Sequence, residues 1–136
     1  MQLQTVTLEA IDVMVVKDGS EMPAAARRAF ERLERALPSL KGRKFYGYWD
    51  PDAKVYVACV AATPGDDAQA LGLERATIPG GPYRRARLKG EPPALYDGIG
   101  KTFEEMAATI DDLDRGRPWI EFYRAHDEID LLVPVA

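Results

Sequence analysis

The sequence predicts an α+β fold: two βαββ repeats forming one antiparallel sheet, with two helices and a ligand cavity at the pseudo-twofold seam. Three observations carry this expectation. The order strand, helix, strand, strand occurs twice, the second pass follows the first at a near-constant spacing, and each pass ends in a hairpin signal. With 136 residues the chain is long enough for one domain with a buried core, read here as residues 1–136, with repeat 1 over about 1–62 and repeat 2 over about 72–136.

The elements follow in order. "LQTVTLEAIDVMVV" alternates β-branched or apolar residues with polar ones and reads as a strand. "KDGSEMPAAARRAFERLERALPSL" reads as a helix, because Ala26, Phe30, Leu33 and Leu37 fall at helical intervals. Asp18, Gly19 and Ser20 suit its start, and Pro38 marks its end. "KFYGYWD" and "KVYVACVA" are two strands joined by "DPDA", whose Asp and Pro favour a turn. "ATPGDDAQALGLERAT" reads as a polar crossing segment, close to a linker. The order then returns. "GPYRRARLKG" is a strand, and "EPPALYDGIGKTFEEMAATIDDLDRG" a helix with an apolar stripe of Leu95, Ile99, Phe103, Met106, Ile110 and Leu113. "RPWIEFYR" and "EIDLLVPV" form the second hairpin around "AHD".

The two passes also align residue against residue. Gly42 and Gly116 are 74 residues apart, and the same offset matches Arg43 with Arg117, Tyr48 with Phe122, Trp49 with Tyr123 and Val57 with Leu131. Nearer the helix starts, Lys17 lies opposite Lys89 and Pro23 opposite Pro93. Neither half of a duplicated unit fills a core alone, so a cavity is expected along the seam between them.

Composition excludes several classes. A net charge of −4 argues against a general affinity for nucleic acid or acidic membrane. The single cysteine, Cys59, cannot form an internal disulfide. No run approaches ~20 apolar residues, and "MQLQTVTLEA" has no signal core, so a cytoplasmic location is expected. His126 with Asp127 and Glu128 has no further ligand at metal-binding spacing, and no metal or cofactor is expected. "RRARLK" alternates Arg85, Arg87 and Lys89 with Ala86 and Leu88, the pattern of one solvated strand face.

The chemistry concentrates in "RPWIEFYR". Strand parity puts Trp119, Glu121 and Tyr123 on one face. A carboxylate in so apolar a strand is costly unless something compensates it. Arg117 or Arg85 could pair with it, or it could lie at a solvated sheet edge. Alternatively, aromatic walls and a carboxylate together make a site for a delocalised cation, since a cation over a ring gains ~0.5–2 kcal/mol. On the second helix Tyr96 and Phe103 are seven apart and share a face. In the first half Tyr46 and Tyr48 share one strand face, Phe45 and Trp49 the other. The 74-residue offset makes Trp49 the counterpart of Tyr123 and favours it near the cavity, with Tyr48 the second choice.

"IPGGPYRRARLKGEPPALYDGIGKTFEEM" followed by "RPWIEFYR" resembles the second half of a GyrI-like domain, the effector-binding domain of multidrug-sensing transcription activators. The family pattern is a Gly-x-Tyr strand, a basic residue with Gly before the helix, and a Pro-x-hydrophobic-Glu-x-Tyr strand. Here these are Gly81 to Tyr83, Lys89 with Gly90, and Pro118 through Tyr123. "GYWDPD" resembles the family's first aromatic strand. The resemblance implies a pocket for bulky aromatic, often cationic or lipophilic xenobiotics, with Glu121 among aromatics, in the stand-alone form of the domain. With the strand and helix faces above, Glu121, Trp119, Tyr123, Tyr96, Trp49, Tyr48 and Phe103 are the expected ligand-binding residues. The resemblance also implies an alternative, a hydrolase that opens cyclopropane-bearing genotoxins with Glu121 activating water. A protein partner such as gyrase rests on the family association alone.

Overall fold

The computed structural model describes residues 2–136. It is α+β, with eight strands and three helices among the described residues, every paired strand antiparallel to its partner. Two compact units emerge: Ala10–Ile78, and the segment ending at Glu9 together with Pro79–Ala136.

In the Ala10–Ile78 unit the strands are β2 (Ile11–Asp18), β3 (Phe45–Asp50), β4 (Val55–Ala61) and β5 (Glu74–Ile78), with helices α1 (Ala24–Ala36) and α2 (Ala68–Leu71). Their order across the sheet is β3-β4-β2-β5. α1 ends just before Pro38, as the sequence predicts, but it starts at Pro23, later than the expected Asp18, Gly19 and Ser20, which form the preceding turn. Its buried stripe is Ala25, Ala29 and Leu33, with Ala26 and Phe30 on the flank. The small alanines let α1 lie close on Met14, Val16, Tyr56, Ala58 and Val60, and the larger Phe30 packs at the edge against Tyr56 at 5.9 Å.

In the other unit the strands are β1 (Gln4–Leu8), β6 (Gly81–Lys89), β7 (Ile120–Ala125) and β8 (Glu128–Pro134), with helix α3 (Ala94–Thr109). Their order is β7-β8-β6-β1. Leu95, Phe103 and Met106 of α3 are buried against Ala86, Ile129, Leu131 and Val133. Ile110 and Leu113 continue the predicted stripe beyond the end of the helix and pack against the same cluster.

Two expectations are corrected. The N-terminal run is two strands, broken at Glu9–Ala10, and β1 pairs with β6 while β2 stays in the other unit. The crossing segment is no linker: it contains α2 and β5, and β5 pairs with β2. Each repeat is therefore ββαββ with its first strand exchanged. α2 had a readable signal, since Asp67 caps it through Ala70 N–H and Gly72 closes it with φ +73°.

Gly81 begins β6 at φ +126°, and a Cβ there would lie 2.5 Å from Arg117 Nη1. Gly81→Ala is therefore expected to lower stability by about 2 kcal/mol or more, from backbone strain and displacement of that guanidinium. An unchanged melting temperature would refute this. Among the described residues no helix is long and apolar enough to cross a membrane.

Candidate functional site

The register of the second hairpin decides which way Glu121 points. Glu121 lies opposite Leu131 and Tyr123 opposite Ile129, while Ile120 and Phe122 lie opposite Leu132 and Asp130. Leu131 and Ile129 belong to the cluster beneath α3, so Glu121 and Tyr123 project toward that helix. The parity read from the sequence holds.

The helix supplies matching rings. Tyr96 meets Tyr123 edge-on at 6.5 Å, and Phe103 meets Trp119 at 5.5 Å with the planes tilted by 41°. The early helix residue contacts the late strand residue and the reverse, so α3 and β7 run in opposite directions here. Seven helical residues rise about 10.5 Å, and four strand residues extend about 13 Å. The four rings thus mark the corners of a frame, with Glu121 midway along its strand side. Glu121 is only 8% exposed, whereas Trp119 and Tyr96 are 37% and 47% exposed. Tyr123 Oη donates a hydrogen bond to Glu121 Oε1 at 2.5 Å. A buried carboxylate is thereby bordered by two rings open to solvent, Trp119 and Tyr96, while Phe103 is buried beneath them.

The two arginines offered as partners of Glu121 are engaged elsewhere. Arg117 donates to Asp114 Oδ2 at 2.8 Å and to the carbonyls of Gly80, Pro82 and Val135, and its guanidinium lies 4.8 Å from the centre of the Tyr83 ring. Arg85 bonds to Gln4. Glu121 is also not solvated at a sheet edge, since the residue is buried.

The first-half candidates divide. Phe45, Gly47 and Trp49 lie opposite Val60, Ala58 and Tyr56, on the α1 side of β3. Trp49 is exposed there. Tyr48 lies opposite Val57 and shares the other face with Tyr46, so it cannot line the same space as Trp49. Burial, with Cys59 and Asp50 nearby, pushes the Tyr48 hydroxyl up to about 12. The repeat offset also needs a correction. Tyr48 pairs with Val57, but its counterpart Phe122 pairs with Asp130, so the second hairpin is one residue shorter and Val57 corresponds to Asp130, not Leu131.

The basic strand forms ion pairs on the face away from α3. Arg87 bonds to Asp130 at 2.7 Å and reaches Glu128 at 3.3 Å. A hollow lined by Gln4, Arg85, Arg87, Thr102 and Glu105 lies along β6 and α3, away from the aromatic frame, with both arginines already bonded to side chains. His126 is exposed and 3.9 Å from Glu91, and no metal-holding group of three or more His, Cys, Asp or Glu occurs among the described residues.

No family model matches this sequence, and no curated protein sequence matches it. Solved structures do. An integron cassette protein from the mobile metagenome of Vibrio cholerae superposes with a TM-score of 0.74 at 16% identity, covering 98% of this chain and 95% of that one. SAV2435, solved bound to tetraphenylphosphonium, gives 0.67 at 14% identity, covering 100% and 94%. A hydrolase from Listeria innocua gives 0.58 at 11% identity, covering 99% and 92%. At these identities the likeness establishes a shared fold.

Proposed function

We propose that this chain binds bulky aromatic small molecules, preferably lipophilic cations, against the frame of Trp119, Tyr123, Tyr96 and Phe103. Glu121 is the electrostatic anchor. The observation that carries the reading is the buried carboxylate bordered by the half-exposed rings of Trp119 and Tyr96. Charge attraction strengthens where water is excluded, and the ring faces add cation–π attraction of about 0.5–2 kcal/mol. SAV2435 supports the reading, because tetraphenylphosphonium is a delocalised cation surrounded by phenyl rings.

Calorimetric titration with tetraphenylphosphonium tests it. Glu121→Gln keeps the shape and removes the charge, and is expected to weaken binding at least tenfold, about 1.4 kcal/mol. Neutral triphenylphosphine oxide is expected to bind both forms weakly and equally. Equal affinity of wild type and variant for the cation, or no binding by wild type, overturns the proposal.

A second reading uses the same residues. The Tyr123 hydroxyl and the Glu121 carboxylate, 2.5 Å apart, put a phenol and a carboxylate within proton-transfer distance. Glu121 would take a proton from water as the oxygen attacks a cyclopropane carbon. The breaking carbon–carbon bond would leave its electron pair on the ligand's conjugated carbonyl, which then takes up a proton. The Listeria innocua hydrolase supports this reading through the shared fold. Incubation with a cyclopropane-bearing alkylator is expected to give a product heavier by one water. Unchanged alkylator at stoichiometric protein eliminates this chemistry.

A further inference from the structure

Resting on the binding reading above, we infer that Gly100 sets the depth of the aromatic frame and selects bulky, three-dimensional cations over flat ones. Gly100 is one helical turn from both Tyr96 and Phe103, so all three share one edge of α3. That edge faces β7, because Tyr96 and Phe103 contact Tyr123 and Trp119. Gly100 thus lies on the exposed flank of that edge, one turn beyond Tyr96.

Neither backbone nor packing asks for glycine there. Gly100 is absent from the glycines with positive φ, and a Cβ built on it meets nothing within 4 Å. In a helix interior glycine is the least favourable residue after proline. The neighbouring Gly98 differs: its Cβ would reach Leu88 Cδ1 at 3.8 Å, an ordinary contact within the core. Gly100 is exposed, so what it leaves is an open helix rim beside Tyr96.

The first repeat provides an internal control. Counted from the equivalent helix-start prolines Pro23 and Pro93, Gly100 corresponds to Phe30. By the 74-residue offset of the hairpin strand, Glu121 corresponds to Gly47. The first repeat therefore has a ring on the helix, packed on Tyr56, and no side chain on the strand. The second repeat reverses this, with a carboxylate on the strand and no side chain on the helix. With no side chain at Gly100 the exposed helix rim of the frame stays open, and a ring that projects out of plane can pass it toward Glu121. A flat cation stacks on Trp119 and does not need the open rim.

The test is a size series, Gly100→Ala, Gly100→Leu and Gly100→Phe, in the full chain, titrated with tetraphenylphosphonium and with the flat cation N-methylacridinium. Thermal melts check folding, and Gly100→Ala is expected to melt higher than wild type. Affinity for tetraphenylphosphonium is expected to fall as the side chain grows, at least tenfold for Gly100→Phe, with N-methylacridinium changing less than threefold. Parallel loss of both cations overturns the selectivity. Wild-type affinity for tetraphenylphosphonium in a folded Phe variant overturns the inference while leaving the binding proposal standing. Should the Phe variant not fold, the Ala and Leu variants decide by the same criteria. Failure of wild type to bind either cation would instead overturn the binding proposal on which the inference rests.

Discussion

Arg117→Met is expected to destabilise its unit by about 3 kcal/mol, from losing several part-buried hydrogen bonds to a charged donor at once. The substitution keeps the apolar stem and removes every donor. Three carbonyls, of Gly80, Pro82 and Val135, then lose a hydrogen bond in a part-buried setting. Asp114 loses the guanidinium that, together with the Gly116 N–H, holds its carboxyl below the usual range. The buried ring of Tyr83 loses the cation 4.8 Å away. These groups tie the start of β6, the chain after α3 and the C-terminal strand to the entry of β7. Trp119 and Glu121 follow Arg117 by two and four residues. Tetraphenylphosphonium affinity is therefore expected to fall along with stability, although Arg117 bonds to other groups than Glu121. Urea unfolding measures the first effect and calorimetry the second. A loss below 1 kcal/mol means that the guanidinium is not the fastener the geometry suggests.

Asp66→Asn is expected to cost the other unit about 2–3 kcal/mol, from weakening several charge-assisted hydrogen bonds at once. Asp66 accepts two bonds from Arg43 at 2.7 Å, one from the Thr63 N–H at 2.8 Å and one from the Thr63 hydroxyl at 3.0 Å. Both side chains are largely buried, at 12% and 13% exposure. The Arg43 guanidinium, then the Thr63 N–H, hold the Asp66 carboxyl well below the usual carboxylate range. A folded-state pKa depressed in this way contributes stability that is fully present above the unfolded value of about 3.9. The contribution is lost as pH falls below that value toward the folded one. Wild type should therefore lose stability in acid more steeply than Asp66→Asn, and the gap between them should narrow from pH 7 to pH 3. Urea melts at the two pH values measure the gap. A gap that stays constant would show that the charge is not what holds this corner.

The two predictions concern equivalent residues, and they show what a sequence can carry. Arg43 and Arg117 align at 74 residues without any structure. Their partners do not align: Asp66 lies 23 residues after Arg43, and Asp114 three residues before Arg117. Long side chains reach whatever the fold brings near, and sequence spacing does not encode that. In the same way, strand alternation placed Trp119, Glu121 and Tyr123 together, and helical spacing placed Tyr96 with Phe103. That Tyr96 would meet Tyr123 and Phe103 meet Trp119 depends on the packing of α3. Alternation also put Tyr48 and Trp49 on opposite faces of their strand, and it took the register with β4 to show that Trp49 is on the α1 side.

The sequence by itself determined the repeated strand, helix, strand, strand core, the proline that ends α1 and the sharing of one face by Trp119, Glu121 and Tyr123, because these follow from local periodicities of two and 3.6 residues and from local helix-ending signals. Only the tertiary structure decided that β1 and β5 are exchanged between units, and that Arg117 bonds to Asp114 and carbonyls instead of Glu121. It alone placed Gly100 over open space. Those outcomes depend on contacts between residues far apart in the chain. Such contacts form from whichever strands and side chains collapse together, and no short-range pattern records them.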